Sequence, residues 1–264
     1  MKTPKIGLAL SGGGYKGIAH AGVLSFLLEQ DIKPKILAGT SAGSIVSCLY
    51  AMGLTPHEIL DFFKSVNVLN WHFFTFKKAG LIDSNAFEKY LFSIFENRTL
   101  DDLPIPVLIN STDIAKGEVH VFDPSTRVID AILASSAFPA IFSPHSINEQ
   151  LYSDGGILNN FATDLIREDC DVLIGSNVCP IEQLDKKNLT SLRSVAIRAY
   201  DLMAANHNRS QSILCDWLIE SHHITQYSTF ERNKQRMDEI FDLGYQAASR
   251  TFKNHQDKFA KAIL

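Results

Sequence analysis

Two short apolar runs near the start of the sequence each end in a glycine-rich turn that leads into a helical pattern. The run "KIGLAL" precedes "SGGGYKG" at 11–17, and apolar residues then recur at helical spacing over about 17–30. The run "KILAG" at 35–39 precedes "GTSAG", and a second helical pattern begins near Gly43. Short apolar strands that alternate with helices predict βαβ units with parallel strands. This alternation places the chain in the α/β class.

The rest of the chain continues the alternation and contains no internal repeat or low-complexity linker. Further strands are predicted at about 106–112 and 171–178, whereas 189–264 is mostly helical and amphipathic. We expect one domain over 1–264, with a motif-bearing core at about 5–180. The expected fold is a three-layer α/β/α sandwich around a mostly parallel central sheet.

Composition and charge exclude several classes of protein. The net charge is −4 without any block of like charge, so no nucleic-acid-binding surface is expected. The four cysteines form no C-x-x-C pair and predict free thiols in a reducing, cytoplasmic setting. The uncharged stretch 36–57 could span a bilayer by length, but its glycines, serines, threonines and proline favour a packed interior strand and helix. The N-terminus shows no signal-peptide pattern.

The sequence "GTSAG" at 39–43 matches the G-x-S-x-G pattern of a nucleophile elbow. It stands between a predicted strand and a predicted helix, where the tight turn favours glycine at Gly39 and Gly43. Ser41 is therefore a candidate nucleophile at the carboxyl edge of the sheet, beside the positive end of the next helix. Because the pattern also occurs by chance, a plain Gly/Ser turn is the alternative.

The loop "SGGGYKG" permits several interpretations. Gly12, Gly14 and Gly17 fit the G-x-G-x-x-G spacing of a dinucleotide-binding loop, but no acid follows the second strand to hold a ribose. A P-loop ends in Gly-Lys-Ser/Thr, whereas Gly17 is followed by Ile and Ala. Consecutive glycines leave their N–H groups unshielded, so Gly12, Gly13 and Gly14 are candidates for an oxyanion hole. Close helix–strand packing is the alternative role.

A serine hydroxyl becomes a good nucleophile only when a base takes its proton. The sequence "YSDGG" places Asp154 at a predicted strand end, before Gly155 and Gly156, although an ordinary Asp-Gly turn would have the same sequence. A catalytic pair requires Asp154 to lie within about 2.6–3.2 Å of the Ser41 hydroxyl. Partial desolvation raises the pKa of such a carboxyl group, and we expect a neutral serine beside an ionised aspartate.

The three glycine motifs in this order resemble those of the patatin-like phospholipases, lipid acyl hydrolases that use a Ser–Asp dyad. "ASSAFPAIFSP" at 134–144 also resembles the stretch before the family's Asp-Gly-Gly/Ala motif, and the resemblance covers about residues 5–180. It implies a patatin-like fold with Ser41 as nucleophile, Asp154 as general base and Gly12–Gly14 as the oxyanion hole. It implies no metal and no organic cofactor.

One position departs from the family pattern. Lys16 stands where the family commonly has arginine. Lysine keeps the positive charge but lacks the planar guanidinium group, so a bidentate hydrogen bond to a lipid phosphate is in doubt. The resemblance also implies a set of supporting motif positions: Lys16, Gly17, Gly39, Gly43, Gly155 and Gly156.

The implied activity is hydrolysis of acyl esters in phospholipids, lysophospholipids or related lipids through an acyl-enzyme. Acyl transfer to another acceptor and lipid binding without catalysis are the alternatives, and a nicotinamide dehydrogenase is a more distant one. A cytoplasmic protein in peripheral contact with a membrane is expected. The sequence does not indicate an oligomeric state.

A Ser-His-Asp triad is a further alternative, because four histidines follow Asp154. Only 26 residues lie between Gly14 and Ser41, whereas α/β-hydrolases have more sheet before the elbow, and this argues against the triad. Adjacent histidines on a helix point about 100° apart, which favours a solvated face over a metal site. The histidines are His207, His222, His223 and His255.

A cluster of aromatic residues suggests where a lipid could enter. "LNWHFFTFKK" at 69–78 contains four aromatic residues within six positions, followed by two lysines. A lid that touches a membrane has this composition, with aromatic rings at the headgroup level and lysines toward anionic phosphates. Burial in the core is the alternative.

Overall fold

The fold is known from a computed structural model, which describes residues 4–66, 85–139, 141–181 and 183–256. Within these ranges one eight-stranded sheet forms the centre of the molecule. Its strands are β1 (Ile6–Leu10), β2 (Ile36–Gly39), β3 (Val107–Asp113), β4 (Glu118–Val121), β5 (His145–Ile147), β6 (Gln150–Ser153), β7 (Val172–Asn177) and β8 (Trp217–Glu220).

Seven α-helices accompany the sheet in the described part of the chain. The helix α3 shows why such segments begin where they do: the Thr55 N–H donates to the Glu58 carboxylate at 2.7 Å, and the Glu58 N–H donates to the Thr55 hydroxyl. The helices are α1 (Ile18–Glu29), α2 (Ala42–Ala51), α3 (Pro56–Ser65), α4 (Asn85–Phe95), α5 (Val128–Ser135), α6 (Leu192–Ser212) and α7 (Lys234–Phe252).

The central strands of the sheet are parallel, in the order β3-β2-β1-β7-β8. Three antiparallel strands extend this core at β3, because β4 and β6 both pair with β3, and β5 pairs with β6. The strand β3 pairs with β2 through its first half and with β6 through its second half, where Thr112 lies opposite Ser153. The carboxyl ends of β1, β2 and β7 therefore meet at one edge, and the end of β6 approaches that edge along β3.

The two faces of the sheet are covered by unequal layers. On one face, Leu8 and Leu10 belong to a large core that includes buried residues of α1, α2, α3, α5 and α7. On the other face, Ala9 packs in a smaller cluster with Phe161 and Ile166, flanked by Cys215 just beyond α6. The predicted α/β sandwich with its central sheet is confirmed, with one layer thicker than the other.

The last third of the chain contains a strand that the sequence interpretation missed. Over 189–264 the sequence indicates mostly helix, yet β8 adds to β7 as a fifth parallel strand. Trp217 is fully buried, and its indole N–H donates to the Thr251 hydroxyl of α7 at 2.9 Å. A four-residue run is too short to show a period of its own, so pairing with β7 decides its conformation.

Two segments were considered for contact with a membrane, and the structure describes only one of them. The uncharged stretch 36–57 forms β2, α2 and the start of α3, and most of its side chains are buried in the protein. Across the described residues, no helix combines the length and the apolar character needed to cross a bilayer. The aromatic segment 69–78 lies outside the described residues.

Candidate active site

Ser41 occupies a sharp turn between a strand and a helix. The strand β2 ends at Gly39 and α2 begins at Ala42, and Ser41 between them adopts φ 52° and ψ −121°, a region that side-chain-bearing residues rarely occupy. Its N–H donates to the Ser135 hydroxyl at 2.8 Å. The turn needs glycine nearby, because a Cβ at Gly43 would overlap the carbonyl oxygen of Leu10. The surrounding structure thus holds the serine in a strained conformation.

The structure brings Ser41 and Asp154 together, although 113 residues separate them in the chain. The Ser41 Oγ donates to Asp154 Oδ2 at 2.8 Å. Asp154 directly follows β6, and its backbone is fixed by two bonds: its N–H donates to the Ala137 carbonyl, and its carbonyl accepts from the Thr112 hydroxyl at 3.0 Å. The antiparallel pairing of β6 with β3 therefore delivers the carboxylate to the elbow.

The second oxygen of Asp154 has two donors of its own. Oδ1 accepts from the Gly156 N–H at 2.8 Å and from the Tyr200 hydroxyl at 3.0 Å. Burial raises the pKa of Asp154 to about 6, and its hydrogen bonds from Gly156, Ser41 and Tyr200 oppose that rise because they stabilise the charged form. At pH 7 to 8 the carboxyl group is thus mostly ionised and close enough to its pKa to accept and return a proton.

The glycine loop reaches the same site from the end of β1. The Gly12 N–H is already used, because it donates to the Asn160 carbonyl at 2.9 Å. Among the described residues, nothing accepts from the N–H groups of Gly13 and Gly14, and both glycines line the cavity that contains Ser41. Gly14 has a φ of +58°, which turns the loop. Of the three predicted oxyanion-hole residues, two have an available donor.

A buried histidine fixes the start of this loop. His20 Nε2 lies 2.9 Å from the Ser11 carbonyl oxygen, and its Nδ1 lies 2.8 Å from the Ser176 hydroxyl. A carbonyl can only accept, so Nε2 carries the proton and Nδ1 accepts from the serine. Burial lowers the pKa of His20 to about 4, and the ring is therefore neutral. His20 positions the loop and does not contact the dyad.

Lys16 and the remaining motif glycines support the loop and the turns. Lys16 is buried and lines a neighbouring cavity with Asp201 and Cys179, rather than the cavity that contains Ser41. A Cβ at Gly17 would meet the Ala42 methyl group at 2.6 Å, so Gly17 lets the loop pack against α2. Close packing also explains three other motif positions: Gly39, Gly155 and Gly156.

The cavity beside Ser41 is apolar and encloses about 100 Å³. Ser41 and Asp154 lie at its wall, and the other lining side chains include Ile45 and Leu133. Such walls suit a hydrocarbon chain better than a polar ligand, because they offer few hydrogen-bond partners. The Phe and Tyr side chains of the lining are Tyr15, Phe62, Phe63, Phe87, Phe138, Phe142, Tyr200 and Phe230.

The four histidines that follow Asp154 lie away from the dyad. His207, His222 and His223 are exposed, and His255 stacks on Trp217. In the part of the chain that the structure describes, no imidazole bonds to Ser41 or Asp154, and no group of three or more His, Cys, Asp or Glu could hold a metal. His145, which the sequence interpretation did not consider, lines the cavity with Nε2 3.2 Å from Asp130 Oδ1.

Sequence reasoning missed three residues that complete the site. Tyr200 comes from α6, Ser135 from the last turn of α5, and Asn160 from the loop after the Gly155-Gly156 turn. None of them stands in a sequence pattern that predicts its contact. Ser135 has a weak signal, because it lies in the stretch 134–144 that resembles the family. Tyr200 has none, because it lies in the helical third that no motif covers.

Comparisons with known proteins agree with this architecture. The family model for patatin-like phospholipase matches residues 8–166. A patatin-like phospholipase domain-containing protein of Caenorhabditis elegans is 30% identical over 198 residues, which cover 70% of this chain and 14% of that protein. Patatin-like phospholipase domain-containing protein 6 of Mus musculus is 29% identical over 174 residues, which cover 61% of this chain and 12% of that protein. The chain thus spans a small part of these relatives.

A solved structure shows the same fold at low sequence identity. VipD from Legionella pneumophila superposes with a TM-score of 0.61 at 15% identity, over 97% of this chain and 67% of that one. The family match covers more than half of the chain, from β1 to the segment beyond the Asp-Gly-Gly turn. The chain therefore belongs to the patatin-like phospholipase family.

Proposed function

We propose that this protein hydrolyses acyl esters of phospholipids or related lipids, with Ser41 as the nucleophile and Asp154 as the general base. The observation that carries the proposal is the 2.8 Å hydrogen bond from Ser41 Oγ to a buried Asp154 carboxylate beside an apolar cavity. Family membership supports the lipid class of substrate. The apolar wall fits an acyl chain, and the dyad fits its ester carbonyl.

The first half of the reaction forms an acyl-enzyme. Ser41 Oγ attacks the ester carbonyl carbon while its proton passes to Asp154 Oδ2, and the carbonyl oxygen becomes an oxyanion. The N–H groups of Gly13 and Gly14 stabilise this charge, and each such donor typically contributes about 100–1000-fold in rate. The tetrahedral intermediate collapses, the alcohol part of the lipid leaves with the proton from Asp154, and the acyl group stays on Ser41.

The second half releases the fatty acid. Asp154 takes a proton from a water molecule, whose oxygen attacks the acyl carbonyl, and the same two amides stabilise the second oxyanion. Collapse breaks the bond to Ser41 Oγ, which recovers its proton from Asp154. One aspartate serves both halves, and its pKa of about 6 suits both directions of proton transfer.

The test compares two dyad variants with a matched serine variant on a short-chain nitrophenyl ester and on a phospholipid. Ser41→Ala abolishes turnover and labelling by a fluorophosphonate, and Asp154→Asn lowers kcat by about 100–10,000-fold. Ser47→Ala, which removes another buried hydroxyl of the neighbouring helix α2, keeps normal activity. Turnover that persists in both dyad variants contradicts the proposal.

The products separate hydrolysis from the two alternatives. Hydrolysis releases one free fatty acid for each alcohol part, whereas acyl transfer releases less free fatty acid than alcohol. A protein that binds lipid without catalysis gives neither product and leaves Ser41 unlabelled. Mass spectrometry of a lipid extract after incubation measures this balance and identifies the headgroup and the chain that leave.

A further inference from the structure

The helix α6 presents an exposed apolar face that nothing in the described structure covers. Four large apolar residues of this helix are exposed, by 88% for Leu192, 50% for Val195, 42% for Leu202 and 56% for Met203. At 3.6 residues per turn they lie within an arc of about 120°, which also contains two exposed alanines and, near the end of the helix, the polar residues Asn206 and Ser210. The apolar stripe, as we call this set, consists of Leu192, Val195, Ala196, Ala199, Leu202 and Met203.

The opposite side of the same helix is built into the catalytic site. Ala204, Ala205 and Asn208 are buried, and the Asn208 side chain donates to Asn177 at the end of β7. The Tyr200 hydroxyl donates to Asp154, and Tyr200 lines the cavity beside Ser41. The helix therefore has an anchored inner face and an apolar outer face, with the reactive cavity along its inner border.

The charges around the stripe differ from those of the whole chain. The segment 185–212 contains five basic and two acidic residues, a net charge of +3 in a protein of net charge −4. Lys186 and Lys187 are exposed just before α6, and Arg209 is exposed in its last turn. A helix with an apolar face bordered by basic residues binds at the surface of a membrane with anionic lipids, because the face enters the headgroup boundary and the cations pair with phosphates.

We propose that the apolar stripe of α6 docks this protein on an anionic lipid surface. The helix would lie in the plane of the interface over about 30 Å, with its inner face still bound to the protein. Docking there places the lipid on the outer face of the same helix whose inner face lines the Ser41 cavity. The choice of a lipid surface rests on the proposed function and on the positive charge of the segment, whereas the docking itself needs no catalysis.

The experiment measures co-sedimentation with vesicles in a Ser41→Ala background, so that lipid hydrolysis does not change the vesicles. Protein with the native stripe binds vesicles that contain phosphatidylglycerol, and it binds pure phosphatidylcholine more weakly, by about 5-fold for each cation that reaches the surface. The double variant Leu192→Glu with Met203→Glu lowers binding by at least about 10-fold, since two apolar side chains no longer leave water.

The matched control makes the same change on another exposed surface. Val119→Glu with Val121→Glu alters two exposed apolar residues of β4, and this variant keeps vesicle binding. With Ser41 restored, both double variants keep hydrolysis of a short-chain soluble ester, because none of the four residues lines the cavity. Circular dichroism and thermal melting verify that each variant is folded.

Several outcomes overturn the docking proposal. It is wrong if the stripe variant binds vesicles as well as the control does, or if the starting protein does not bind them. It is also wrong if sedimentation velocity shows a dimer that the stripe variant converts to monomer, because a second copy then covers the stripe. Vesicle binding without esterase activity in the wild-type protein refutes the proposed function alone, and esterase activity without binding refutes the docking alone.

Discussion

We expect the hydrogen bond from Tyr200 to Asp154 to lower the pH at which the proposed dyad becomes active. Oδ1 of Asp154 accepts from Tyr200 at 3.0 Å and from Gly156 at 2.8 Å, while Oδ2 accepts from Ser41. The carboxylate is almost completely buried, so solvent does not weaken these bonds. Tyr200→Phe removes one donor to the charged form and keeps the ring that packs on Phe138. In the proposed mechanism Tyr200 is thus a positioning residue of the base.

The size of the effect follows from the strength of a hydrogen bond to a charged group. Losing such a bond costs about 1.5–3 kcal/mol, and one pKa unit corresponds to about 1.4 kcal/mol, so the pKa of Asp154 rises by about 1–2 units. The base is active when ionised. We expect the acid limb of kcat/KM near pH 6 in the wild type, from the pKa of Asp154, and expect it to move up by the same amount in the variant.

The assay is the pH profile of kcat/KM on a short-chain nitrophenyl ester, measured for the wild type, Tyr200→Phe and Tyr245→Phe. The control removes a comparable bond, from Tyr245 to the Glu29 carboxylate at 2.7 Å, at an exposed position outside the cavity. At a pH well above both limbs, Tyr200→Phe approaches wild-type activity. A limb that does not move, or a loss that is equal at every pH, refutes the reasoning.

Two further predictions concern stability. Because the folded-state pKa of Asp154 is about 6 against an ordinary 3.8, this group favours the folded state fully below about pH 4 and loses that contribution as the pH rises through 6. Asp154→Asn therefore gains about 2 kcal/mol of stability relative to the wild type between pH 4 and pH 7; urea unfolding at both pH values measures this, and a constant difference contradicts it. Gly43→Ala destabilises the fold by about 1–3 kcal/mol, because the added methyl group would overlap the Leu10 carbonyl. Ser47→Ala in the same helix is nearly neutral, because the Ser47 hydroxyl has no hydrogen-bond partner among the described groups. Thermal melting of both variants measures the difference between them, and equal melting temperatures contradict the prediction for Gly43→Ala.

Local signals predicted the elements that hold the nucleophile. The strands β1 and β2 are short, fully buried runs, and the turn after each is marked by glycines whose positions backbone packing requires. The glycines that the elbow needs lie within two positions of Ser41, although the Leu10 carbonyl and the Ser135 hydroxyl that the elbow contacts come from other segments. The positions of these glycines can be recognised in the sequence without knowledge of the fold.

Contacts between distant segments could not be predicted in the same way. The strand ending before Asp154 is predicted from the sequence, but the antiparallel pairing of β4, β5 and β6 is not, nor is the edge strand β8, which is only four residues long. Three partners of the site, Ser135, Asn160 and Tyr200, come from segments whose sequences are compatible with many other contacts. The use of the Gly12 amide by Asn160 is likewise visible only once the loop after β6 is in place.

The sequence by itself determined that this protein has a parallel α/β core with a serine in a glycine-bounded turn, because turn geometry and strand burial restrict residue types over a few positions. Only the tertiary structure decided that a carboxylate 113 residues away accepts from that serine, and that a tyrosine from α6 helps to hold it. A hydrogen bond requires its two atoms within about 3 Å, and for distant segments that separation is fixed by strand pairing and helix packing over the whole fold.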